Sequence, residues 1–405
     1  MTAANGLDYL VNMLAGRWLL PVEFGVFVAA AGLVQILLYA AFVIRNVVAF
    51  YTAEKSLDPQ AGVLIGGFFH AAWSWAWKWG LAAAAILAAG APVLSRALQF
   101  PTPLVLWAGS AAVPLLFVRA VTDGALQGTQ QFFGFAGVQV AQSVLRLAFT
   151  AVFIAAGWKA AGAIFAIPVA TAAAMLVAIW FLRPYFLTRS RAQTTPVSWH
   201  YSAYTLLGFL VFAAFTNTDA LFVKSYFPPQ VAGDYGPVVT LAKVNLFLPL
   251  ALGVVLFPKA AQRYATDRDP RPILISALAA TLGSGLALVA IEFLYPAPLV
   301  HTVFGAAYRS PGVLVGLAGL AATFFAGINI WINYALSTRC TTYLLALAAL
   351  MVVQIAGMVI FGRSSLQTML TVMIACGLMG NIAGAFTTWR APGVRIEEMS
   401  VTSTS

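Results

Sequence analysis

Five polar residues of one apolar stretch, Gln139, Gln142, Ser143, Arg146 and Thr150, are spaced so that a helix gathers them on a single face. A charge at the bilayer centre costs on the order of 2.5–3.5 kcal/mol even on the mildest scale, so that face cannot look at lipid. Arg146 is expected to look into a wet or ligand-filled cavity, or to pair with another span. Lys243 is a second base inside an apolar segment. Asp219 closes the run Thr216-Asn217-Thr218-Asp219 and reads either as a proton or cation site or as the counterion of a neighbouring base. Gln35 with Tyr39 and Asn46, Asn329 with Asn333, and Asn5 with Asp8 and Asn12 form further stripes. For each Asn, hydrogen bonding between helices is the alternative to ligand contact. Arg119, one turn from Asp123, and Arg45 are expected to snorkel to the interface. Glu292 falls near the outer end of its segment, where hydration makes its charge cheap.

Helices in lipid must position these groups. Of 405 residues 61% are apolar and only 8% charged, a balance that would leave a water-soluble chain with very large exposed apolar patches. Apolar runs recur from end to end and predict an all-α polytopic membrane protein of twelve spans, at 2–20, 24–50, 75–97, 104–126, 133–157, 160–182, 202–226, 233–258, 273–297, 311–335, 341–361 and 365–388. Segment 56–74 is expected to be an interfacial helix, because Trp73, Trp75, Trp77 and Trp79 crowd around Lys78. An even number of spans puts both termini on one side. With that side cytoplasmic, fourteen of the 22 Lys and Arg residues fall inside, six outside, and Arg146 and Lys243 remain in the membrane. The expected location is the inner, cytoplasmic membrane of the cell.

Several chemistries are disfavoured. The net charge of +10 is scattered over helix ends rather than gathered in a patch for nucleic acid. Cys340 and Cys376 lack metal or disulfide spacing, and His70, His200 and His301 are far apart. No GxSxG, HExxH or Walker loop occurs, so neither an enzyme nor a bound cofactor is expected. Outward loops are short, which argues against a membrane glycosyltransferase or ligase and for transport.

A repeat is visible at an offset of 208 residues. Phe24-Gly25-Val26-Phe27 matches Ala232-Gly233-Asp234-Tyr235, and Val47 to Lys55 faces Val255 to Arg263 in the same register. Six spans per half give two lobes of like orientation, 1–192 and 193–405 with a short cytoplasmic tail, related by a pseudo-two-fold axis along the membrane normal. The register sets Lys243 opposite Gln35.

Leu20-Pro21-Val22-Glu23-Phe24-Gly25-Val26-Phe27 and Ala125-Leu126-Gln127-Gly128 resemble the oligosaccharide flippase and polysaccharide-export family. Asn217 to Val223, Val231 to Tyr235 and Val303 to Tyr308 look like its second-half pattern. The resemblance implies a two-lobed bundle of the multidrug/oligosaccharidyl-lipid/polysaccharide exporter superfamily. It implies movement of a polyprenyl-pyrophosphate-linked oligosaccharide from the cytoplasmic to the outer leaflet for cell-surface polysaccharide biosynthesis. Arg146 and Lys243 would then hold the pyrophosphate, Gln139, Gln142, Gln35 and Asn329 the glycan, and Asp219 a coupling proton or sodium ion. Members usually have a longer first span, and related lipid II flippases carry more Arg early in the chain than Arg17 and Arg45. A cation-coupled multidrug exporter of the same fold is the principal rival; it is expected to favour embedded carboxylates over bases.

Overall fold

The computed structural model describes residues 2–56, 58–188, 199–246, 271–338 and 340–389. Within them the chain forms α1 (Thr2–Trp18), α2 (Pro21–Lys55), α3 (Ala61–Ala97), α4 (Leu104–Gly128), α5 (Phe132–Ala155), α6 (Lys159–Phe186), α7 (Trp199–Tyr226) and α8 (Pro229–Ala242). A 3₁₀ turn, Lys243–Leu246, follows, and then α9 (Arg271–Leu294), α10 (Pro296–Phe304), α11 (Leu314–Ser337), α12 (Thr341–Ile360) and α13 (Leu366–Trp389). Ten of the described helices are long and apolar enough to cross a membrane. The fold is therefore an all-α polytopic membrane protein. α1 has 17 described residues, and the stretch expected to complete the eighth span lies outside the described residues.

Two expectations are corrected. Segment 56–74 is not a separate interfacial helix, because α3 runs unbroken from Ala61. Ile65, Phe68 and Phe69 are buried, Phe69 meets the Phe186 ring of α6, and Gly66 lies against Thr188, so this segment belongs to the packed bundle. The tryptophans follow on the same helix. The span expected at 273–297 stops at Leu294, because Pro296 lacks the N–H that would continue it and instead opens the short α10.

Helix starts follow the repeat register. Pro21 and Pro229, Leu104 and Leu314, Phe132 and Thr341, and Lys159 and Leu366 are each within two residues of the 208-residue offset. Within the first set, α4 packs on α2, α3 and α6, and α5 on α1 and α6; within the second, α11 packs on α9 and α13, and α12 on α7 and α13. α2 crosses between the sets to pack on α7 and α8. There the repeat-related glycines meet. A Cβ on Gly25 would lie 2.9 Å from the carbonyl of Ala232, and one on Gly233 only 2.3 Å from the carbonyl oxygen of Pro21. Only glycine allows this backbone approach. The proposed boundary at 192/193 falls outside the described residues.

The same end of the bundle is closed by α10 and the segment after it. Phe304 and Tyr308 pack around Phe24, tilted and edge-on, the Tyr308 hydroxyl donates to the Gly16 carbonyl at 2.6 Å, and Arg17 donates to the carbonyls of Thr302 and Val303. Further along α2, Tyr39 packs against Phe209 and Phe212 of α7.

Candidate functional site

The site in the second half is built where α8 loses its α-helical geometry. α8 ends at Ala242 and tightens into the 3₁₀ turn, which aims Lys243 at α7. Its Nζ donates to Asn217 Oδ1 at 2.8 Å, while Asn217 uses its own amide to bond the Ala213 carbonyl. Asp219, buried and two residues on, accepts from the Tyr235 hydroxyl at 3.0 Å. Lys243 lies within electrostatic reach of that carboxylate. Thr216, Asp219 and Lys243 line one small cavity with Phe325, Leu370 and Met373, with room for about one water-sized molecule. Asn217 also lies against Gly32 of α2, so this polar group borders the contact between α2 and α7.

In the first half the stripe on α5 turns into its own helix group. Gln139 accepts from Arg119 and donates to Asp123 at 3.3 Å, and Arg119 pairs with Asp123 at 3.4 Å. Arg45 of α2 lies within electrostatic reach of both, with its guanidinium over the Phe42 ring and its Nε unpartnered. Arg119 therefore does not snorkel: it is 7% exposed and held between α4 and α5, because Asp123 and Gln139 satisfy it there. Gln142 donates to the Thr171 hydroxyl of α6 at 3.0 Å. Arg146 reaches across to α1 and pairs with Asp8 at 3.2 Å. The Asp8 side chain is 43% exposed and Arg146 Nε remains unpartnered, so the pair keeps donor and acceptor capacity.

Arg146 is thus drawn to Asp8, while Lys243 and Asp219 share a cavity that Arg146 does not line. Gln139 and Gln142 are occupied inside the first helix group. Asn329 is buried and accepts from Asn333, a link along its own helix. Gln35 is exposed, and helical spacing sets it between the face of α2 that meets α4 and the face that meets α7. Sequence reasoning missed Tyr235 as the partner of Asp219 and Asp8 as that of Arg146. It also placed Glu292 in water, whereas the side chain is buried between α9, α11 and the 3₁₀ turn. The polar signals were visible in each case, but not which helices would face each other.

No family model and no curated protein sequence matches the chain. Solved structures do. An inward-facing conformation of a multidrug resistance MATE family transporter of the MOP superfamily aligns with a TM-score of 0.69 at 15% identity, covering 94% of this chain and 94% of that one. Lipid II flippase MurJ in an inward closed conformation aligns at 0.71 and 11% identity, covering 96% and 87%. An outward-facing MATE conformation aligns at 0.62 and 16% identity, covering 97% and 95%. At such identities the likeness speaks for the fold, and the chain has the polytopic fold shared by MATE transporters and MurJ.

Proposed function

We propose that this protein is a transporter that flips a polyprenyl-pyrophosphate-linked oligosaccharide from the cytoplasmic to the outer leaflet by alternating access of its two lobes, 1–192 and 193–405. The observation that carries the reading is a local charge balance in the first half. Arg119 pairs with Asp123, Arg146 with Asp8, and Arg45 lies within electrostatic reach of Asp123, three guanidiniums to two carboxylates. This surplus favours an anion, and a pyrophosphate is an anion that guanidinium forks recognise. Gln35 and Asn46, both exposed on α2, add hydrogen-bonding groups of the kind a glycan needs. The lipid tail stays in the bilayer. The Lys243–Asp219 group is proposed as the coupling site, where a proton or sodium ion would exchange against the base.

A specific observation also favours the rival reading of a cation-coupled multidrug exporter. Arg119, Arg146 and Lys243 each have a carboxylate within reach, so the interior is less purely basic than the sequence implied. The test separates the two. Arg146→Ala is expected to weaken glycan-lipid binding by about 10- to 150-fold, the worth of a charge-assisted hydrogen bond of roughly 1.5–3 kcal/mol, while insertion stays normal. Arg146→Lys should restore only part of it. Lys243→Ala leaves Asp219 buried without its base, so it is measured beside the Lys243→Ala/Asp219→Asn double variant. Unchanged glycan export in Arg146→Ala/Lys243→Ala, with altered efflux of cationic dyes, would return the multidrug reading.

A further inference from the structure

The 3₁₀ turn carries a second polar residue. Lys243 and Asn245 are two positions apart, which at three residues per turn points them in different directions. Asn245 looks toward α9 and α11, where its amide nitrogen donates to Glu292 Oε1 and Oε2 at 3.4 Å each and to the Gly319 carbonyl at 3.1 Å. Two acceptors fix the amide in this orientation, so Asn245 Oδ1, in a residue only 3% exposed, is left without a partner among the described residues.

Gly319 makes room for the acid. A Cβ at this position would sit 1.6 Å from Glu292 Oε2, so the carboxyl group occupies the notch that the missing side chain leaves in α11. There Glu292 is 6% exposed and forms no ion pair with a Lys, Arg or His among the described residues. Among the described residues, the side-chain donor given for it is the long, shared Asn245 amide. Tyr9 of α1 is a titratable group within electrostatic reach of it. An ionised carboxylate is acceptor-only and needs several donors, whereas a protonated one brings a donor of its own. Asn245 Oδ1 is an open acceptor on the side chain that already contacts the acid.

We propose that Glu292, seated in the Gly319 notch and held by Asn245, is a proton-binding site of this protein, separate from the Asp219 group. In the conformation described the carboxyl group carries the proton. Separation of α11 from the 3₁₀ turn would open the notch to water and release it. Because the same turn carries Lys243, protonation of Glu292 is linked to the geometry of the Lys243–Asn217–Asp219 group. Only this last linkage rests on the transport reading.

The test is an infrared pH titration of the full-length protein in lipid nanodiscs, following the stretching band of protonated carboxyl groups. Glu292→Gln should lose one titrating component that Asp219→Asn retains. Glu292→Asp, which withdraws the acid by one methylene from the notch, should keep a component with a shifted midpoint. An undiminished set of components in Glu292→Gln overturns the proposal, as does an unshifted midpoint in Glu292→Asp. Neither result involves the glycan, so failure here leaves the transport reading standing, and failure of glycan export leaves this site standing.

Discussion

Replacing Gly233 by alanine is expected to push α8 and α2 apart at the end where α1 meets α2. The new methyl would stand 2.3 Å from the Pro21 carbonyl oxygen, 2.4 Å from its carbonyl carbon and 2.9 Å from the Val22 nitrogen. All three atoms are backbone, so no side chain can swing away and the helices themselves must separate. Overpacking of this kind costs about 1–3 kcal/mol, and that cost falls on the conformation in which this end is closed. A conformation in which the halves part at this end would escape it, so the equilibrium between the two should move by about 5- to 150-fold toward the open one. The assay is a spin-label distance between cysteines placed at Leu20 and Leu294, 72% and 71% exposed, in a background lacking Cys340 and Cys376. Gly233→Ala should add or enlarge a long-distance population. Gly25→Ala, whose nearest atoms lie at 2.9 Å, should do so less, and Gly90→Ala, with nothing within 4 Å, not at all. A distance distribution identical in wild type and Gly233→Ala would refute the reasoning.

Two further outcomes are expected. Asp219→Asn should reduce transport and change its dependence on pH or sodium, measured as uptake into proteoliposomes at several pH values and salt compositions; normal transport with unchanged ion dependence would leave Asp219 as a structural partner of Tyr235. If both termini are cytoplasmic, a cysteine at Thr266 should be protected from an impermeant thiol reagent in intact cells and one at Ser310 should react. The reverse pattern would invert the orientation.

The sequence alone determined that this chain lives in lipid, that it is helical, and where most helices begin and end. Those features follow from composition and from runs of apolar residues, which act locally and leave the backbone no other way to satisfy its hydrogen bonds in a bilayer. A 208-residue register was legible in the residues around Gly25 and Gly233, but that the two glycines meet each other was not. Partner choice is decided by which helices come to lie side by side, and this depends on contacts far apart in the chain. So the polar face of α5 was visible, yet only packing against α4, α6 and α1 decided that Gln139 serves Arg119, Gln142 serves Thr171 and Arg146 meets Asp8. Glu292 shows the limit most clearly. Its position near a helix end predicted water, and what buries it is a missing side chain on another helix, at Gly319, which no pattern around Glu292 could reveal.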